Sequence, residues 1–322
     1  MLKIRRFVQG NDEAAWVRAW NSVYGQRWDF RTMAVEEMVA SEKAPDFEAE
    51  GRFIAEVDDE PVGIVFAYVD KLREEKKGFV GSFGVIPTHR GQGLEEKLAE
   101  TALEEFKRRG MKVVQSGVDD DQKDVIRLWE GLGFKLVRMF SLMTKDLAQV
   151  QSGVGENFEV TLRAVRKDED DDLKMVNWLD NECFKEHFNW RPSPVERTVY
   201  FVREDPFFKQ QEWYFAMLDQ RNVGYVGVGV DEKYNVERNA KCGWILDIGV
   251  LKPHRRTGIG TRLMLHGMNR LRAMGMNTAM LGVDDWNVTK ALLLYEKVGF
   301  KVAKKELAYE KNIEQPSVSL FF

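Results

Sequence analysis

Two glycines one residue apart, Gly258 and Gly260 in "PHRRTGIGTRL", stand where a β-rich run gives way to a helical pattern, with Arg255 and Arg256 just before them. A strand-to-helix junction presents backbone N–H groups that lack intrahelical partners, and the helix dipole adds partial positive charge at the same place. Glycines there remove Cβ atoms and let the backbone come close to an anion such as a phosphate. The competing reading is a plain turn whose glycines serve geometry only. No G-x-x-x-x-G-K-[ST] sequence occurs, and the third glycine of a dinucleotide fingerprint is missing, so those two phosphate cradles fit less well.

The phrase occurs twice. "THRGQGLEEKL", from Thr88, carries Glu95 where the later copy has Gly260. Around it, "FGVIPTHRGQGLEEKLAETALEEFKRRGMKVVQSGVDD" from Phe83 aligns without a gap to "IGVLKPHRRTGIGTRLMLHGMNRLRAMGMNTAMLGVDD" from Ile248, and "VIRLWEGLGFKLV" from Val125 matches "ALLLYEKVGFKVA" from Ala291. The chain is therefore a tandem duplication. "AQVQSGVGEN", from Ala148, is polar and without periodicity and reads as a linker, which divides the chain near Gly153 into domains 1–150 and 154–322.

Each copy has to position its loop with the same elements. In the later one "FEVTLRAV", "EWYFAML", "VGYVGVGV", "CGWILDIGV" and "TAMLGV" read as strands, as does the run from Phe300 onward. Helices are expected over Asp168 to Phe184, up to Arg203, over Gly258 to Met274 and over Thr289 to Lys297. Strand, two helices, three strands, helix, strand, helix, strand describes an α/β (α+β) fold: a central mixed sheet flanked by helices, present twice.

Charge and composition remove several function classes. With 48 basic against 52 acidic residues there is no basic footprint for nucleic acid. The N-terminus lacks an apolar leader and no apolar run reaches the roughly 18 residues of a membrane helix, so no membrane association and a cytoplasmic location are expected. Cys183 and Cys242 form neither a disulfide framework nor a metal-ligand pair, and the histidines His89, His187, His254 and His266 show no H-E-x-x-H arrangement. No metal is expected.

R-x-x-G-x-G at Arg255, Gly258 and Gly260, the strand "ILDIGV" before it and the Y-x-x-x-G-F element at Tyr295, Gly299 and Phe300 together resemble the acetyl-CoA motifs of the GNAT acyltransferase superfamily. The resemblance covers both copies and implies two tandem GNAT folds with splayed central sheets. It implies that Ile248, Val250 and the segment Arg255, Arg256, Thr257, Gly258, Ile259, Gly260 and Thr261 bind acetyl-CoA, with Asn287 nearby either at the cofactor or as a helix cap. Tyr295 matches the tyrosine that protonates the departing thiolate, and a phenol of pKa about 10 can donate to a thiolate whose acid has pKa about 8.5.

An amine nucleophile must attack neutral, and at pH 7 a lysine-like amine costs about 4.6 kcal/mol to deprotonate. Asp247, three residues before Val250, matches an acidic position on the strand that borders the acetyl group and is expected to act as base or to hold the substrate ammonium. Where some relatives carry a glutamate farther back, this chain has Trp244. Asp284 and Asp285 are alternatives, but Asp119 and Asp120 in the first copy favour a turn or cap there.

The first copy departs at three places: Glu95 for Gly260, Trp129 for Tyr295 and Ser82 for Asp247. A carboxylate about 4 Å from a pyrophosphate charge costs about 4 kcal/mol at an effective dielectric of 20. The first domain is therefore expected to be degenerate and the second catalytic. Substrate contacts are expected from "NECFKEHFNWRPSPVERTVYFVREDPFF", with His187 and Trp190 as candidates. That segment and the tandem plan look like mycothiol synthase-type GNATs, which acetylate the amine of a cysteinyl sugar. The expected activity is acetyl transfer to a primary amine of a small molecule, by a monomer or homodimer. The alternatives are a protein or peptide N-acetyltransferase and a non-catalytic acyl-CoA-binding regulatory module.

Overall fold

A computed structural model describes residues 1–27, 29–149 and 159–313. The first repeat runs β1 (Leu2–Arg6), α1 (Glu13–Tyr24), α2 (Val35–Ser41), β2 (Arg52–Val57), β3 (Glu60–Val69), β4 (Lys77–Val85), α3 (Leu94–Arg108), β5 (Val113–Asp119), α4 (Lys123–Gly131) and β6 (Lys135–Asp146). The second runs β7 (Val160–Ala164), α5 (Asp170–Phe184), α6 (Val195–Arg203), β8 (Gln210–Leu218), β9 (Arg221–Val230), α7 (Glu232–Arg238), β10 (Cys242–Val250), α8 (Ile259–Ala273), β11 (Thr278–Asp284), α9 (Ala291–Lys297) and β12 (Lys301–Asn312). Apart from α7, the order is the one the sequence predicts. That short helix is capped by the Asp231 side chain, which accepts from the Tyr234 N–H, and ends at Asn239 in the left-handed region. Among the described residues no helix is long and apolar enough to cross a membrane.

Contacts divide the chain into two units: Met1–Glu42, Asp46–Arg138 and Glu306–Phe322 in one, Lys43–Pro45 and Met139–Lys305 in the other. This differs from a cut at 150/154, because the last strand of each repeat serves the other unit. β12 runs antiparallel to β5, from Glu306↔Asp119 to Asn312↔Val113. β6 runs antiparallel to β11, from Phe140↔Asp284 to Asp146↔Thr278. The two strands are equivalent in the repeat and take the same register on equivalent partners, so the exchange preserves the hydrogen-bond pattern of each sheet. The expected linker lies, from residue 150 onward, outside the described residues.

The second unit's strands lie in the order β6-β11-β10-β9-β8-β7. One face packs against α8, whose Ile259, Leu263, Met264, Gly267, Met268 and Leu271 are buried at helical spacing. The other face carries α5 and α6 over a core that includes Leu173, Val176, Leu179, Trp213, Phe215 and Tyr225. The turn between β8 and β9 places Asp219 and Gln220 at φ 48° and 61°, the signature of a tight hairpin. The first unit repeats the plan with α3 on one face and α1 and α2 on the other.

Candidate active site

β10 and β11 pair in parallel only over Cys242–Trp244 and Thr278–Met280. Beyond that point β10 stays with β9 as far as Val250 and β11 stays with β6 as far as Asp284, so the two strands part. A bulge between Ile245 and Asp247 sits at the parting, and bulges re-aim side chains in this way. Two connected chambers open there. One, of about 420 Å³, is bounded by the glycine loop and α9; the other, of about 500 Å³, by β10, β11 and the segment after α6. Phe184, His187, Ile248, Asn287 and Tyr295 line both.

The first chamber has the features of an anion and acyl-chain cradle. Gly258 holds φ +91°, a conformation costly to any residue with a Cβ, and opens α8. Arg262 N–H bonds back to the Gly258 carbonyl at 3.0 Å, which leaves the amides of Ile259, Gly260 and Thr261 in the first turn without an intrahelical acceptor. Val250, Gly260, Thr261, Ala291, Leu293 and Leu294 line the walls with small or apolar surface. Arg256, at φ +66°, bonds the Thr289 carbonyl at 2.9 Å and ties the loop to the segment before α9. Arg255 also lines the chamber, but its guanidinium is engaged: Nε donates to the Val250 carbonyl (3.0 Å), Nη2 to the Cys183 carbonyl (2.9 Å) and Nη1 to Glu186 (3.3 Å). It clamps the loop to β10 and α5 rather than offering its charge to a phosphate.

Between the chambers stands Tyr295 on α9, 7% exposed, its phenol bonded to no side chain or backbone group among the described residues. Burial, then the neighbouring Asp247, pushes that phenol well above its usual range, so it stays protonated. Asp247 lines the second chamber, and its Oδ1 accepts from the Ile248 N–H at 2.8 Å. Its Oδ2 lies 2.5 Å from the Tyr225 hydroxyl, which is 3.1 Å from Asp180 on α5. Burial, then the charge of Asp180, pushes the Asp247 carboxyl up to about 8; burial raises Asp180 also. Gly249 makes the approach possible, since a Cβ there would sit 2.7 Å from the Tyr225 ring and 2.9 Å from Cys183 Cβ. Trp213 stacks on Tyr225 at 6.2 Å and fixes the ring. The Cys183 thiol, pushed up to about 12 by burial and then by Asp247, stays neutral.

The match of an acetyltransferase (GNAT) family model to residues 16–134 and 173–300, once in each repeat, covers most of the chain. The chain belongs to the acetyltransferase (GNAT) family. It is 31% identical over 131 residues to the mycothiol acetyltransferase of Thermomonospora curvata, a match that takes in 41% of this chain and 43% of that relative. The chain thus spans less than half of that relative's length. A longer match, 29% identical, joins 72% of this chain to 75% of the mycothiol acetyltransferase of Thermobispora bispora. Among solved structures, a tandem GNAT protein from the clavulanic acid biosynthesis pathway superposes with TM-score 0.76 over 98% of this chain and 100% of its own, at 14% identity. At that identity the likeness concerns the fold.

Of the GNAT site residues named from sequence, the structure gathers Ile248, Val250, Arg255, Arg256, Gly258, Gly260, Thr261, Asn287 and Tyr295 around the first chamber, and Asp247 around the second. Ile259 turns its side chain into the core, and the Thr257 hydroxyl donates to the His254 carbonyl at 2.7 Å; neither side chain lines the chamber. Asn287 Oδ1 accepts from both the N–H and the hydroxyl of Thr289 at 2.7 Å, which makes it a cap for the turn before α9. His187 lines both chambers, edge-on to Phe184 at 4.5 Å. Trp190 is not among the residues lining either. Asp284 accepts from the Trp286 N–H at 3.0 Å, a turn contact, and Asp285 pairs with Lys305 on β12 at 2.8 Å. Sequence reasoning missed Asp180 and Tyr225. Each sits in a segment that reads as ordinary amphipathic helix or buried strand, and only the parting of the sheet brings them to Asp247.

Proposed function

We propose that the second unit transfers an acetyl group from acetyl-CoA to a primary amine of a small, cationic molecule, by direct attack with both substrates bound. The observation that carries this reading is the position of Tyr295, a phenol held protonated where the glycine-loop chamber meets the acid-bearing one. The donor fits the first chamber: the free first-turn amides and the open left-handed Gly258 suit a pyrophosphate, and Val250, Leu293 and Leu294 suit a pantetheine arm. When bound, acetyl-CoA supplies an activated acyl carbon and a thiolate leaving group. The chain's own residues then manage protons. Asp247 takes one from the attacking ammonium, Tyr295 gives one to the sulfur as the carbon–sulfur bond breaks and the carbon–nitrogen bond forms, and the second proton that the nitrogen loses on becoming an amide restores the phenol.

The acceptor chamber supports an amine of small size. Among the described residues its lining holds the acids Asp247 and Asp284 and no lysine or arginine, beside Phe184, Phe201, Phe208 and Trp244. Such a lining favours a cation with an apolar or ring-bearing body and disfavours an acidic one. A panel of amines assayed with acetyl-CoA for release of free thiol tests the reading. Turnover confined to small amines supports it, turnover with peptides alone would replace it with a protein acetyltransferase, and binding of acetyl-CoA without any turnover would leave a regulatory module.

A further inference from the structure

Asp180 has no place in the sequence motifs, yet it shares with Asp247 a single phenol, at 3.1 and 2.5 Å from the Tyr225 oxygen. A phenol has one proton, and two carboxylates within its reach cannot both be fully served by it. We infer that Asp180 and Asp247 form a proton-sharing pair, bridged by Tyr225, that receives the proton of the acceptor ammonium at Asp247 and releases it to solvent at Asp180.

The placement supports that direction. Asp247 lines the acceptor chamber, whereas Asp180 is on α5, outside the lining of both chambers, and keeps part of its surface exposed. In the resting pair one carboxyl carries a proton and the other is ionised. An N–H bond of the ammonium breaks and its proton joins Asp247, while the proton Asp247 held passes to the Tyr225 oxygen and the Tyr225 proton passes to ionised Asp180, so the nitrogen keeps the electron pair it needs for attack. The pair then holds two protons, and one leaves to water. Charged and titratable groups acting with it are Tyr295 on α9, Arg197 on α6 and, on α5 itself, Cys183. Of these, Arg197 acts on Asp180 to favour its ionised form. That sets Asp180 as the member that stays charged while Asp247, pushed up to about 8, holds the proton.

This inference rests on the proposed acetyl transfer, and its test separates the two. The pH dependence of kcat/KM for the amine is compared in the full chain, in Asp180→Asn and in Tyr225→Phe. Loss of the like charge in Asp180→Asn moves the rising limb down by about one pH unit or more. Loss of the hydroxyl that supports ionised Asp247 moves it up in Tyr225→Phe. A purely structural role would lower the rate in both without displacing the limb, and a limb fixed in both variants overturns the inference. A second readout needs no turnover. A carboxyl whose folded pKa is raised contributes stability that is complete below its unfolded pKa, about 3.9, and is lost as pH rises through its folded value. Between pH 4 and 8 the melting temperature of the wild-type chain therefore falls more steeply than that of Asp247→Asn or Asp180→Asn. Parallel slopes overturn the shared proton. A wild-type chain that acetylates no amine sinks the proposed function alone, since the slopes still decide the pair.

Discussion

Where Tyr295 stands at the open cleft of the second unit, Trp129 in the first is wholly buried, with ring centroids 4.9 Å from Phe83 and 4.9 Å from Phe134. Tyr24, in the place of Phe184, accepts the Phe83 N–H at 2.8 Å and donates to the Phe83 carbonyl at 3.2 Å, closing the strand edge that Ile248 leaves at the chamber. Arg27, in the place of His187, reaches Asp119 on β5 at 3.0 Å across the parting of β4 and β5. Trp20, Ile64 and Ser82 occupy the positions of Asp180, Tyr225 and Asp247. What survives in both units is the clamp. Arg90 donates to the carbonyls of Val85 and Val23 at 3.0 Å, as Arg255 does to Val250 and Cys183. The first unit has thus kept the backbone geometry of an acetyltransferase while its cleft was filled with large side chains. The difference sorts the motif: the arginine clamp is common to both units, and the second glycine, the tyrosine and the acids, to which the proposed function gives the chemistry, belong to the second alone.

The contrast is most exposed at the phenol. Tyr295→Phe is expected to lower kcat by a factor of about 10² to 10⁴, while Trp129→Phe leaves the thiol-release rate within about twofold and lowers only the melting temperature. Equal losses in both would return catalytic standing to the first unit. The glycine loop gives the next effect. Gly260→Glu installs the first unit's residue where a Cβ would lie 3.3 Å from Leu294 Cδ2. Steric crowding and a carboxylate beside the pyrophosphate should weaken acetyl-CoA binding by about 10² to 10³ in calorimetry. The reverse change, Glu95→Gly, is expected to confer no binding of its own, because Trp129 and Tyr24 still fill the space. The smallest effect belongs to the plug. Tyr24→Phe removes two hydrogen bonds from the Phe83 backbone and should cost about 1–2 kcal/mol in denaturant unfolding, with acetyl transfer unchanged; a loss of transfer would show that the filled cleft serves the open one.

Local chemistry was legible in the sequence. The glycine loop, the tyrosine helix and the strand carrying Asp247 each announce themselves within about a dozen residues, and the duplication makes the altered twin readable. Three features were not. The role of Arg255 depends on two carbonyls, one of them 72 residues away, that no spacing reveals. The proton-sharing pair joins α5, β9 and β10, whose meeting is set by where β10 leaves β11. The exchange of β6 and β12 escaped because equivalent strands present the same pattern to either partner, so sequence symmetry hides which one is used.

That exchange governs the order in which the molecule can be completed. The edge of β5 at Val113–Asp119 is covered by Glu306–Asn312. At roughly 5–20 residues per second of synthesis, that edge waits on the order of ten to forty seconds for its partner after it leaves the ribosome. Meanwhile β6, which carries the equivalent residues, emerges almost at once. The nascent first repeat therefore meets a local rival before its true neighbour exists, and the finished chain is reached only when the last strand of the second repeat takes that place.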